Sequence, residues 1–584
     1  MRWLAVVVTL TVGLHAKSLR ASSSPLTSDQ GPTLELSSLQ QAAKDLFDHG
    51  FDQYMLYAFP HDELKPLTYS YSDSLGELGN LDRVPVSAEY KGVALTLIDS
   101  LPTLAVLGKH KEFEQGVQWL VDHADWFDAD VRINVFEGNI RLLGGLLSAH
   151  ILASHGGFGP QLMQGGYNGG LLDLAHSLGL RLLPAFLLSP TGMPYAWVNL
   201  RHGIQPGTAT KESNTAGCGS LVLEMGMLSR LTGNRVFETA ARDALRALWA
   251  MRTPLDLLGT DLDVEQGIWL HQHGGIGAGA DSFFEYLLKA YLLFGDDEYW
   301  DMFNCAYSTV MLHYRTGGPW YHDSDIRTGR PTQFQFTSLQ AFWPGLQVLA
   351  GDLEAAMETH AAFAWVWQQF QALPERYLYQ MGTVHPTEHY YPLRPELFES
   401  TFYLFEATRN PMYQAFAAEM LADVNESMRV PGGWASVGSV VRDGRTGRMP
   451  LEDIQPSYWL AEAALYLYLL FANDTILQQG EQWIFTTEGH PLPLDHASHR
   501  LQQAWAAGKA TKATLHTHPF YREASSQWAA AFGLSRGAGA CRNPGEQHCN
   551  STAFTLDSGS GWFSRPRGIC PARKAGPLAR SQLQ

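Results

Sequence analysis

Six apolar, aromatic-rich stretches of this chain carry acids where a buried helix would normally carry none. They are Leu97–Leu107 with Asp99, Val135–Ala153 with Glu137, Leu221–Leu231 with Glu224, Asp281–Leu293 with Asp281 and Glu285, Pro395–Ala407 with Glu396 and Glu399, and Tyr458–Phe471 with Glu462. An ionised carboxylate among apolar side chains is costly unless it is paired, hydrogen-bonded or facing a wet cavity. One such acid says little, because structural ion pairs are common; the repeated pattern points to a shared cavity. Glu137 and Arg141 are i,i+4 neighbours and share a face, as do Asp281 with Glu285 and Glu396 with Glu399. Carboxylates working in pairs perform general acid–base chemistry. Lined by Trp, Tyr and Phe, whose rings stack on sugar C–H surfaces, such a pocket suits a glycosidic bond. A metal site without catalysis is the competing reading. No HExxH, paired CxxC or phosphate-cradling glycine loop argues for other chemistry.

The elements that must hold these acids read as helices. Between the apolar stretches, and a seventh without an acid at Phe336–Ala350, lie amphipathic ones with charged faces, such as Lys109–Asp125, Val236–Met251, Asp352–Phe370 and Pro411–Ser427. The apolar stretches recur about every 57–63 residues from Glu224 onward. Inner helices apolar nearly all round, alternating with outer amphipathic ones, predict αα-hairpins closed into a toroid, an all-α (α/α)7 barrel. A helical solenoid is the alternative, but the long loops 154–170 and 186–220 suit a closed enzyme better. Strand patterns are few, Gly438–Val441 being one.

Composition bounds the rest. The 584 residues carry 41 Lys+Arg against 58 Asp+Glu, a net charge of −17, which argues against nucleic-acid or anionic-membrane partners. A chain this long predicts three or four ordinary domains, which one large barrel over 34–495 replaces. Residues 1–21, with Arg2 before the apolar run Leu4–Leu14, read as a signal peptide or signal-anchor, cleaved after Ala16 or Ala21 if cleaved. Residues 22–33 read as a Ser/Pro/Gly linker, and 496–584 as a low-order tail with one helix near 498–508. No later segment reads as long and apolar enough to span a membrane. Sequons at Asn425, Asn473 and Asn550 agree with a lumenal chain. The five cysteines are too few for a disulfide scaffold; Cys541 and Cys549 could close a small loop, and Cys218 and Cys305 read as buried thiols.

Ordered motifs along 45–495 resemble glycoside hydrolase family 47, the class I α-1,2-mannosidases, and within it the ER degradation-enhancing α-mannosidase-like (EDEM) branch. They are Ala58-Phe-Pro-His-Asp-Glu-Leu64, Leu95-Thr-Leu-Ile-Asp-Ser-Leu101, Val135–His150, Gly275–Leu287, Ser338-Leu-Gln-Ala-Phe-Trp-Pro-Gly-Leu346, Leu373-Pro-Glu-Arg376, Tyr391–Ser400 and Phe485-Thr-Thr-Glu-Gly-His-Pro491. The resemblance implies an inverting, Ca²⁺-dependent hydrolase. It implies Glu137 as general acid, Glu396 as general base, and Asp281 and Glu375 as the other catalytic carboxylates. It further implies Arg141, Glu285, Arg394, Glu399 and Glu488 around the sugar and Thr487 as the protein ligand of Ca²⁺.

The sequence departs from the family in four places. Gly279 and Ser338 stand where processing mannosidases carry Arg and His, as in the EDEM branch. Pro456 stands where a supporting Glu is expected, and Pro102 where an Asp is usual. Cysteines expected near 214 and 432 are Asn214 and Gly432, so a disulfide to a partner oxidoreductase does not transfer through them. The resulting expectation is an α-1,2-mannosidase of the endoplasmic reticulum lumen. It trims Man-rich N-glycans on misfolded glycoproteins for degradation, with an ER oxidoreductase as a further partner. A mannose-binding lectin on the same barrel is the alternative. A general glycan-processing mannosidase is disfavoured by Gly279 and Ser338.

Overall fold

The computed structural model describes residues 36–73, 92–155, 159–205, 207, 209–478 and 482–494. The expected signal segment, linker, tail, 498–508 helix, Cys541, Cys549 and Asn550 lie outside the described residues.

Among the described residues seven outer and seven inner helices alternate along the chain. The outer ones include Leu36–Tyr57, His110–Asp122, Gly170–Leu182, Val236–Ala250, Asp297–His313, Leu353–Phe370 and Pro411–Ser427. Each follows an apolar stripe and leaves a charged face to solvent; Val236–Ala250, for example, buries Phe237, Ala241, Ala244, Leu245 and Leu248. The inner helices are buried almost all round: every residue of Leu95–Val106 is buried, as is every residue of Ala464–Phe471. The remaining inner helices occupy 135–154, 222–232 (after the short helix Thr215–Gly219), 281–294, 338–349 and 396–408, and the last one begins at Trp459. The ring closes where Leu95–Val106 packs on Trp459–Ala463 and Leu36–Tyr57 packs on Ala464–Phe471. This is an (α/α)7 barrel.

Its two ends differ. Inner helices lead into the next outer ones through tight turns; Thr232 and Phe294 are followed by Gly233 (φ 72°) and Gly295 (φ 69°), the left-handed cap that glycine adopts at least cost. Outer helices lead into inner ones through long connections, and these carry most of the short antiparallel strands, such as Arg132–Asn134 with Trp197–Asn199. All inner-helix N-termini therefore face the long-loop end. The last described element is a hairpin, Trp483–Phe485 with Pro491–Pro493. Its tip is tied into the barrel by Ser148 donating to the Pro491 carbonyl and by His490 Nε2 against the Asp99 carboxylate at 3.0 Å.

Several expectations change. Gly438–Val441 is not a strand; the pairing lies just before it, Ser436–Val437 with Leu451–Glu452. The stretch expected as one helix from Phe336 opens with a strand, Phe336–Thr337, before turning helical at Ser338. Cys218 is a buried free thiol as expected, but Cys305 carries a disulfide. Contrary to the sequence reading, Gly170–Leu187 has the length and hydropathy of a membrane span; 61% of it is buried, as outer wall packed on the inner helices.

Close approach of inner helices rests on glycine. Pro102 sits inside Leu95–Val106 and offers no N–H to the carbonyl of Ile98 four residues back. Gly145 of the neighbouring helix packs against that carbonyl, so a Cβ at 145 would lie 2.6 Å from Ile98 O. Gly145→Ala is therefore expected to destabilise the barrel by about 1–3 kcal/mol through overpacking. The check is a lowered thermal unfolding midpoint; an unchanged midpoint would mean the two helices slide apart freely.

Candidate active site

The long-loop end opens into a cavity of about 360 Å³. Seven carboxylates line it against two guanidinium groups, Arg141 and Arg394. Aromatic and apolar faces come from Phe136, Phe342, Leu339 and Tyr458.

Glu137 sits where the second inner helix begins. Asn134 caps that start, its Oδ1 accepting from the amides of Phe136 and Glu137. The helix then widens into a π turn over Gly138–Leu143, a feature frequent at functional sites. On that turn Arg141 donates through Nε to Glu137 Oε2 (2.8 Å) and through Nη1 to Glu488 Oε1 (2.6 Å) and Ser457 Oγ (3.2 Å). Ser457 in turn donates to the buried Asp99 (2.5 Å).

Asp281 is the first residue of the fourth inner helix, and the Ser282 amide donates to its Oδ1 (2.7 Å). Burial raises its pKa to about 7. Glu396 opens the sixth inner helix behind Pro395, which needs no N–H partner at a helix start. Burial, opposed by Arg394, pushes it up to about 8, and its buried Oε2 has no hydrogen-bond partner. One turn deeper, Lys289 pairs with Glu285 and lies 3.7 Å from Glu399. Burial disfavours the lysine's charge, yet the two acids hold its pKa above the ordinary value.

The structure brings Glu137, Asp281, Glu396, Arg141, Glu285, Arg394, Glu399, Glu488 and Thr487 to one cavity. Glu375 is not on the cavity wall; it takes a two-pronged fork from Arg394 (2.9 and 3.0 Å) and a hydrogen bond from Ser338 (2.7 Å). Burial works against its charge, but Arg394 holds its pKa below the usual carboxylate range. Its geometry is that of an anchor for Arg394. Gly279 also lines the cavity with φ 79°, and a Cβ there would meet Thr260 at 2.8 Å. An arginine at 279 would need another backbone conformation.

Sequence reasoning passed over Glu462 and Asn214 as site residues. Glu462 lines the cavity from a second π turn, Trp459–Ala463, six residues after Pro456. Its place on an apolar helix was the available signal. Lys289, four residues after Glu285, was legible by the same spacing rule. Two other acids of the pattern stay inside the wall: Asp99 is fully buried against Ser457 and His490, and Glu224 against Asn139 and Tyr286.

Among the described residues no cluster of three His, Cys, Asp or Glu side chains is arranged to hold a metal. The cavity nevertheless suits a hard cation, with seven acids against two guanidinium groups and buried Glu399 and Glu462 raised well above ordinary carboxylates. Thr487, at the hairpin tip, offers hydroxyl and carbonyl oxygens there, and such a cation completes its shell with water or sugar oxygens.

A closed helical toroid with an acid-ringed, aromatic-edged mouth is the form of a carbohydrate-acting enzyme. The model of glycosyl hydrolase family 47 matches residues 46–494, and the chain belongs to this α-mannosidase family. It is 52% identical to alpha-mannosidase I MNS5 of Arabidopsis thaliana over 83% of this chain and 82% of that one. To ER degradation-enhancing alpha-mannosidase-like protein 2 of Mus musculus it is 39% identical, covering 78% and 77%. Among solved structures it is similar to an alpha-1,2-mannosidase from Trichoderma reesei, with TM-score 0.68 and 25% identity over 79% of this chain and 99% of that one.

Lys289 gives a test of the charge balance. Lys289→Met leaves Glu285 and Glu399 buried without their cation, an expected loss of about 3–5 kcal/mol. The two acids can still accept protons, so the deficit should be smaller at pH 5 than at pH 8, deepening as the pH rises and they must ionise. Melting curves of both proteins at the two pH values check this; a pH-independent difference would count against it.

Proposed function

We propose that this protein is an inverting, Ca²⁺-dependent α-1,2-mannosidase of the endoplasmic reticulum lumen. Its substrates are Man-rich N-glycans on misfolded glycoproteins, whose trimming commits them to degradation. The observation that carries the reading is the placement of Glu137, Asp281 and Glu396 on three inner helices around one cavity that Thr487 also lines. The names of the ER degradation-enhancing relatives support the compartment and the pathway.

In this reading the terminal mannose stacks on the aromatic edge and is gripped through its hydroxyls by Arg141, Glu285, Arg394, Glu399 and Glu488. Glu137, held by Arg141, passes a proton to the leaving oxygen, with the proton-retaining Asp281 on the same wall. The ionised form of Glu396, favoured by the adjacent Arg394, takes a proton from the attacking water at its unpartnered Oε2. Inversion asks for acid and base far enough apart to admit that water, roughly 6.5–9.5 Å. Glu375 acts by holding Arg394 in place. When bound at Thr487, Ca²⁺ supplies positive charge that favours ionised carboxylates and orients oxygens of water and sugar. An ER oxidoreductase partner would not be held by a disulfide at positions 214 and 432, which are Asn214 and Gly432.

The test is purified protein with a Man9 glycan. Wild type should release mannose and leave a product of inverted configuration; Glu137→Gln and Glu396→Gln should each lose about 10²–10⁴-fold in kcat. A Ca²⁺ chelator should abolish turnover and Ca²⁺ should restore it. Tight glycan binding without mannose release would establish a lectin instead; turnover indifferent to chelation would remove Thr487 from the metal role.

A further inference from the structure

Glu224 belongs to no wall of the cavity and is only 1% exposed, yet it touches two of the three helices that carry the chemistry. It sits on the third inner helix, Val222–Thr232. From one side Asn139 donates to its Oε2 through Nδ2 (2.7 Å), and from the other Tyr286 donates to its Oε1 through the phenol (2.5 Å). Asn139 lies on the π turn between Glu137 and Arg141, and Tyr286 follows Glu285 on the helix that Asp281 opens. Both lone partners are taken up by one carboxylate that has no other task.

A π turn inserts one more residue per hydrogen-bonded ring than an α turn, so it holds only where the surroundings over-determine it. Its register decides where Arg141 points, and Arg141 is what fixes Glu137 and Glu488. Asn139 is the one side chain of Gly138–Leu143, besides Arg141, that makes a hydrogen bond among those described. Its own Oδ1 is buried and unpartnered, so the bond to Glu224 is its anchor.

Building on the mannosidase reading, we propose that Glu224 is a positioning residue. By bolting Asn139 to Tyr286 it fixes the π turn and thereby the orientation of Glu137 and Arg141 toward the substrate. The role is geometric rather than electrostatic. With the Asn139 amide turned over, glutamine at 224 can accept from the Tyr286 phenol and donate from its own amide to Asn139 Oδ1. A leucine can do neither.

The test compares wild type, Glu224→Gln, Glu224→Leu and Asn139→Ala in the full chain, with kcat and KM on a Man-rich oligosaccharide, thermal midpoints, and amide hydrogen exchange over 138–143. Glu224→Leu and Asn139→Ala should lower kcat about 10- to 100-fold with KM little changed, the size expected for a misplaced reacting group. Exchange over 138–143 should quicken in both. Glu224→Gln should keep wild-type kcat and exchange. Asn139→Ala is the safeguard should Glu224→Leu fail to fold. Equal loss in Glu224→Gln and Glu224→Leu would show that charge matters and overturn the proposal. So would normal kcat in Asn139→Ala, or unchanged exchange. If wild type releases no mannose, the mannosidase reading fails while the exchange data still decide the role of Glu224.

Discussion

The structure is organised by a single imbalance: more carboxylates than cations are gathered at one end of a dry helical barrel. Taking an ion out of water costs several kcal/mol unless geometry and partners return it. The chain meets that cost in three ways. Some acids are given a basic partner, as Glu375 is by Arg394 and Glu285 by Lys289. Others have their ionisation moved toward neutral pH by burial, Asp281 to about 7 and Glu396 to about 8. The remainder share a cavity with Thr487, where a bound cation can be accommodated.

These three solutions impose demands on the scaffold. An arginine that serves Glu137, Glu488 and Ser457 together must be aimed within a few tenths of an ångström, and the π turn under Arg141 does the aiming. Helices as close as Leu95–Val106 and its neighbour leave no room for side chains at the crossing, hence Gly145. The apolar bulk of the inner ring is thus both the core of the fold and the low-dielectric wall that raises the pKa values at its edge.

Much of this was legible in the residues. The boundaries of the inner helices follow the apolar runs to within a residue or two, because a helix buried all round has no polar face to blur its ends. The i,i+4 pairing of Glu137 with Arg141 held, since spacing along a helix is local information. What escaped depends on contacts between distant segments. The short sheets of the mouth pair two or three residues each, too few for an alternating pattern. Glu224 and Glu462 look alike in sequence, yet one is sealed by Asn139 and Tyr286 and the other opens on the cavity. Glu375 matches the family motif as Glu137 and Glu396 do, and the sequence did not show that its carboxylate takes the fork from Arg394. Local sequence cannot report which acid has a neighbour from sixty residues away.

The order in which the ring closes has its own consequence. Chains emerge from the ribosome N-terminus first. The helix Leu36–Tyr57 must wait for Ala464–Phe471, and the floor hairpin ending at Pro493 is later still. A nascent chain therefore holds Glu137, Asp281, Glu285, Glu396 and Glu399 well before it holds Thr487 and Glu488. Until the final thirty or so residues of the barrel have been made, the acids already in place lack both the helix that closes the ring and the hairpin that carries Thr487.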